Sequence, residues 1–256
     1  MRISTTHLKS KLLLGARLVT VTAATVLNAP AVEAQKNEPI GRLTRYVVKA
    51  ERLDTFQAAL TVYVTEALVN DTNIQAEAYH ERDNRSVIWL IERWDNRDEL
   101  DRFQRQPSAH VLSSLVGESL LGPVETVYVT DLEPISKTQW RRSPKTEDCP
   151  LTIMLFVDAK PGTERVFRET YHQVMPAFRG EPGVVTYQLS QVEGDATKFV
   201  TFEKFRSDAA FDYHLKFPPI KPVIDYLNTS IQRQPFQDGL RTLIEFAPLI
   251  REGPAK

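Results

Sequence analysis

The chain has 256 residues, 42% of them hydrophobic and 25% charged, with a formal net charge of -1. That is the composition of an ordinary globular protein with room for two small domains. The near-neutral charge, and the lack of a basic patch interleaved with aromatics, speak against nucleic-acid binding.

Residues 1–34 stand apart. Arg2, Lys9, Lys11 and Arg17 make a basic start, residues 18–27 (LVTVTAATVL) form an apolar run, and Val32-Glu33-Ala34 offers a small-residue cleavage site before Gln35. We read a signal peptide, which places the mature chain in the periplasm or outside the cell with no membrane attachment left. A membrane anchor fits worse, because Arg17 interrupts a run already far short of the roughly 20 apolar residues needed to span. The single cysteine, Cys149, excludes an intramolecular disulfide; it is a linker thiol or a link to a second chain.

Residues 42–49 (RLTRYVVK) have the β-branched and aromatic content of a strand. Residues 52–68 then place Phe56, Leu60, Tyr63, Val64 and Ala67 at helical spacing, and Asn70-Asp71-Thr72-Asn73 ends that helix. Residues 74–80 alternate as a strand and join residues 87–94 through a hairpin turn. Residues 96–112 read as one amphipathic helix opened by Asn96 and Glu99 as a capping box, and residues 124–130 (VETVYVT) close the unit as a fourth strand. Residues 131–150, rich in charge and proline, read as a linker. The same order then returns: strand 151–158, helix 164–178, strands 184–192 and 198–205, helix 208–216 with a further helical stretch over 220–232, and strand 240–246.

An offset of 111 residues lays 87–112 on 198–223, carrying Glu92 to Glu203, Trp94 to Phe205, Asp101 to Asp212 and Pro107 to Pro218. A period this long denotes two copies of one domain, residues 42–130 and 151–247. In the first copy Val87, Trp89 and Ile91 share one strand face, with Ile88, Leu90, Glu92 and Trp94 on the other. The second sets Val200 and Phe202 against Phe199, Thr201, Glu203 and Phe205. Both faces are largely apolar, so both are expected to be covered.

One face carries a carboxylate at the same place in each copy. Set among Leu90, Trp94, Thr201 and Phe205, such a group is expected to have a raised pKa from desolvation, which makes Glu92 and Glu203 candidate general bases. The competing role is a scaffold carboxylate paired with an arginine or a backbone amide. Tyr187 and Trp89 follow the apolar parity and read as core. Glu77, Tyr79, Thr186 and Gln188 fall on the other parity and are expected to line a substrate cavity together with Thr201, Trp94 and Phe205. His172, beside the stripe Phe167, Tyr171, Val174, Phe178, and His214, after Phe211, are further acid or base candidates, against the alternative that each simply packs. No two histidines have metal-ligand spacing, and no dinucleotide fingerprint, P-loop or nucleophile elbow occurs.

The element order is that of the ferredoxin-like, α+β arrangement. The finer motifs are Asp158-Ala159-Lys160-Pro161-Gly162, Glu181-Pro182-Gly183-Val184-Val185-Thr186-Tyr187 and Phe202-Glu203-Lys204-Phe205 in the second copy, and Ile91-Glu92-Arg93-Trp94 in the first. With them the chain resembles the antibiotic biosynthesis monooxygenase (ABM) family, quinol monooxygenases included, over residues 42–246. The resemblance implies two units packed sheet on sheet into one dimeric α/β-barrel, here within a single chain. A 20-residue linker spans roughly 60 Å when extended, ample for that closure.

The resemblance also implies oxidation of a small aromatic or quinol-like compound without metal, flavin or other cofactor, the substrate itself supplying the electrons to oxygen. The first copy has lost the Pro-Gly and Glu-Pro-Gly turns, so at most one active cavity is implied. Some relatives degrade haem through a strand asparagine and a helix tryptophan and histidine. The nearest helix positions here are Phe103 and His214, neither first strand has the asparagine, and haem is disfavoured. The alternative left open is a non-catalytic module that binds a small apolar ligand or a partner, and a further homo-oligomer also stays open.

Overall fold

A computed structural model of the chain describes residues 38–234 and 238–249, and the expected signal peptide lies outside them. The first copy runs β1 (Ile40–Val47), α1 (Leu53–Val69), β2 (Asn73–Glu81), β3 (Val87–Trp94), α2 (Arg97–Phe103), α3 (Pro107–Ser119) and β4 (Glu125–Asp131). A short α4 (Lys137–Trp140) follows. The second copy runs β5 (Leu151–Asp158), α5 (Glu164–Arg179), β6 (Val184–Val192), β7 (Lys198–Phe205), α6 (Asp208–His214), α7 (Lys221–Thr229) and β8 (Leu240–Ala247).

Two expectations need correction. Residues 96–112 are not one helix: Pro107 opens α3, because it lacks an N–H and its ring clashes with the preceding turn. Asn96 does cap α2, accepting from the Glu99 backbone at 3.0 Å, and Ser207 caps α6 at the equivalent position, accepting from Ala210 at 3.2 Å. Residues 131–150 are also more than a spacer. They carry Trp140 to 2% exposure, with the Arg93 guanidinium 3.7 Å from its ring centre.

The strands close into one barrel in the order β1-β3-β2-β8-β5-β7-β6-β4. The fourth strand of each copy does the closing. β4 pairs with β1 on one side and with β6 of the other copy on the other, while β8 pairs with β5 and crosses to β2. Closure explains the two apolar faces. The inner face gathers Leu43, Trp89, Ile91, Val129, Met154 and Phe202 into one cluster drawn from both copies. The outer faces form two further clusters, one under α1 and one under α5.

Removing one copy strips β2 and β4 of their outer partners and bares the shared inner cluster, leaving two open edges beside an apolar face. A chain ending near residue 135 is therefore expected to aggregate or pair with itself. Sedimentation showing a stable, soluble monomer of residues 36–135 would contradict this.

Candidate active site

The register of the strands sorts the candidate residues. Glu92 pairs with Ala76 and with Arg42, so it lies on the outer face under the helices, whereas Glu77 and Tyr79 pair with Ile91 and Trp89 on the inner face. The second copy repeats the division, with Tyr187 opposite Glu203 and Thr186 and Gln188 opposite Lys204 and Phe202. The expectation that Glu77, Tyr79, Thr186 and Gln188 share a cavity with the two glutamates is thus corrected. One residue of register separates the two faces, and the sheet itself stands between them. Thr201, Trp94 and Phe205 do share the glutamates' face. His172 is on the surface, its side chain 78% exposed and its Nδ1 2.7 Å from Glu133 Oε1.

The two glutamates have opposite surroundings. Glu92 is wholly buried and held by Arg42, whose Nε donates at 2.8 Å and whose Nη2 also reaches it. Tyr63 from α1 donates to Glu92 Oε1 at 2.8 Å, and the Trp94 indole donates to the same oxygen at 3.3 Å. Gln104 donates to the Tyr63 hydroxyl at 2.6 Å, closing the cluster. Burial is the largest single influence on the Arg42 guanidinium and lowers it, but the charge of Glu92, with Tyr63, Tyr46 and the hydrogen bond to Glu92 added, leaves it raised.

At the position equivalent to Arg42 the second copy has Ile153, paired in register with Glu203. Glu203 is therefore buried without a cation. It accepts from Thr201 Oγ1 at 2.6 Å and from Tyr187 Oη at 3.0 Å. Burial raises its carboxyl to about 7 against the opposing pull of those two hydrogen bonds. Tyr187, read from the sequence as core, is core and also a donor to the candidate base.

Next to it α6 delivers His214, 2% exposed, with its ring centre 4.8 Å from that of Phe178 and 5.4 Å from that of Tyr187. His214 Nδ1 lies 2.7 Å from Glu181 Oε1. Burial lowers the imidazole to about 4, and burial with the charge of Glu203 raises the Glu181 carboxyl to about 7. Glu181 comes from the Glu-Pro-Gly turn, and the turn's glycine is what admits α6: a Cβ on Gly183 would sit 2.5 Å from Ala210 Cβ. The sequence pointed to this turn as a motif but not to Glu181 as a chemical group.

Glu203, Tyr187, Tyr171 and His214 border a cavity of about 30 Å³ walled by Ile153, Phe211 and Leu227. That is room for a water or a dioxygen molecule, and far below the roughly 300 Å³ of a small-molecule site. Phe211 and His214 of α6 and Val223, Ile224 and Leu227 of α7 line it. Among the described residues no group of three or more His, Cys, Asp or Glu side chains is placed to hold a metal ion.

Comparison with known proteins converges on one family. Residues 39–112 and residues 150–224 each match the family described as antibiotic biosynthesis monooxygenase. A candidate monooxygenase from Lactobacillus acidophilus NCFM superposes with a TM-score of 0.68 at 14% identity, covering 81% of this chain and 94% of its own. Another from Fusobacterium nucleatum gives 0.66 at 13% identity, with 81% and 91% covered. An anthrone oxidase-like protein gives 0.56 at 10% identity, with 87% and 98% covered. At such identities these structures speak for the fold alone. An uncharacterized protein from Synechocystis sp. is 30% identical over 74 residues, which is 29% of this chain and 50% of that protein, so the match spans about half the length of that curated relative.

Proposed function

Because the chain belongs to the antibiotic biosynthesis monooxygenase family, matched in both of its copies, we propose that the second copy is a cofactor-independent monooxygenase acting on a small phenol or hydroquinone. The observation that carries this reading is the unpaired state of Glu203, a buried carboxylate without a cation and with its pKa raised to about 7, beside a first-copy counterpart locked to Arg42. In this reading Glu203 takes the phenolic proton, for which a pKa near neutrality is suited. The resulting phenolate passes electrons to dioxygen; one oxygen atom forms a bond to ring carbon and the other leaves as water. A hydroquinone and O₂ thereby give a hydroxyquinone and H₂O, both electron pairs coming from the substrate. Tyr187 orients the carboxylate, and the pair His214 and Glu181 accepts or returns a proton at the cavity edge.

Oxygen uptake with a panel of hydroquinones tests the proposal. Uptake that depends on substrate, persists after treatment with chelator, and rises with pH through about 7 as Glu203 ionises is the expected result. Hydroquinone binding, seen by calorimetry, with no oxygen consumed would instead favour the non-catalytic ligand-binding module.

A further inference from the structure

The two copies act as controls for each other at a second place. Residues 131–150 run against β2 through Arg141 and against the β6 side through Glu133, and β2 and β6 occupy equivalent positions in the two copies. Around β6 the space is filled, with about 30 Å³ left. Tyr187 takes part of it, and Arg179 is tied down by the carbonyls of Tyr187 and Glu133 and by Gln188 Oε1. Around β2 the matching residues are Ala76 and Leu68, and a cavity of about 240 Å³ opens. It shares no lining residue with the Glu203 cavity.

Its lining carries charges of both signs. On the strand side Lys204 Nζ lies 2.6 Å from Glu77 and 3.1 Å from Glu245, their side chains 2%, 10% and 6% exposed. Two carboxylates on one ammonium leave surplus negative charge in a buried place, and burial raises the Glu245 carboxyl accordingly. Arg141 and Arg142 line the same cavity. Arg141 donates to the carbonyls of Ile74 and Asn73 and to Asn73 Oδ1. Among the described residues neither guanidinium forms an ion pair. Leu68, Trp140, Pro144 and Pro248 supply apolar surface in the same lining.

A fold does not need this arrangement: apolar residues of similar size in place of buried ion pairs are commonly neutral or stabilising. We propose that this cavity binds a small zwitterion, a free α-amino acid with an apolar side chain, its ammonium toward Glu77 and Glu245 and its carboxylate toward Arg141 and Arg142. A plain carboxylate leaves the surplus charge of Glu77 and Glu245 uncompensated, and a plain amine leaves Arg141 and Arg142 without an ion-pair partner. Only a ligand bearing both charges answers both sets of groups.

Titration calorimetry on the full chain with L-phenylalanine, phenethylamine and 3-phenylpropanoate separates these cases. L-Phenylalanine is expected to bind in the micromolar to millimolar range, with each single-charge analogue weaker by about tenfold or more. Arg142→Ala, at an exposed position, and Glu245→Gln should each weaken L-phenylalanine by about tenfold, whereas Glu203→Gln should leave it unchanged. The proposal fails if L-phenylalanine gives neither heat nor a melting shift at roughly 10 mM, or if all three probes bind alike. It fails equally if Arg142→Ala and a folded Glu245→Gln both bind as the parent does.

Discussion

Glu203→Gln is expected to cut hydroquinone-dependent oxygen uptake by roughly 10² to 10⁴, and to make the folded chain more stable above pH 7. The amide still accepts from Thr201 and Tyr187, so the shape of the site survives while the proton acceptor is gone. The stability half follows from linkage. The Glu203 carboxyl is raised from 4.5 to about 7 on folding, so the native state holds that proton more tightly than the unfolded one. Stability from this group is whole below 4.5, falls as pH rises, and is lost above about 7. The loss there is about 3 kcal/mol, because each tenfold gain in proton affinity is worth about 1.4 kcal/mol. An uncharged side chain escapes it, so the variant should melt higher than the parent at pH 8 and show little difference near pH 4.5. Unchanged turnover per folded molecule would remove Glu203 from the mechanism, whatever the melts show.

The contrast between the copies explains how much the sequence could reveal. Strand and helix periodicity, with the 111-residue offset, gave the ferredoxin-like units and the doubly apolar strand faces, because those follow from local residue spacing. Barrel closure came from the resemblance and not from spacing, since the pairing of β4 with β6 and of β8 with β2 is set between distant segments. Parity placed Glu92 and Glu203 on a common face, yet it grouped Glu77, Tyr79, Thr186 and Gln188 with them because a face carries no label for inside or outside. The arginine partner offered as the alternative to catalysis is present for Glu92 and absent for Glu203. That difference was written at positions 42 and 153 but became meaningful only through the register that sets Arg42 opposite Glu92 and Ile153 opposite Glu203. Trp140 was illegible for a related reason. A proline-rich, charged stretch reads as solvent-exposed until the inner cluster that Trp140 joins is known.

Glu92→Gln should do the reverse of Glu203→Gln. The Arg42 side chain is only 11% exposed and its counter-charge is Glu92. Removing that charge leaves a buried guanidinium facing a neutral amide, at a cost of about 3–5 kcal/mol. In a chain of this size that lowers the melting temperature by roughly 10 °C. The hydroxyl of Tyr63 would still donate to the amide oxygen, so the loss reports mainly on charge. Oxygen uptake per folded molecule should stay near the parent's, because the Glu203 site is built from other residues. A double-mutant cycle makes the assignment firm. Arg42→Met removes the cation that needs the carboxylate, so Arg42→Met with Glu92→Gln should recover most of the lost stability, leaving the pair coupled by several kcal/mol. Additive effects in that cycle, or a Glu92→Gln chain as stable as the parent, would mean that Arg42 does not lock the first copy. The structural difference between the two glutamates would then lose its physical basis.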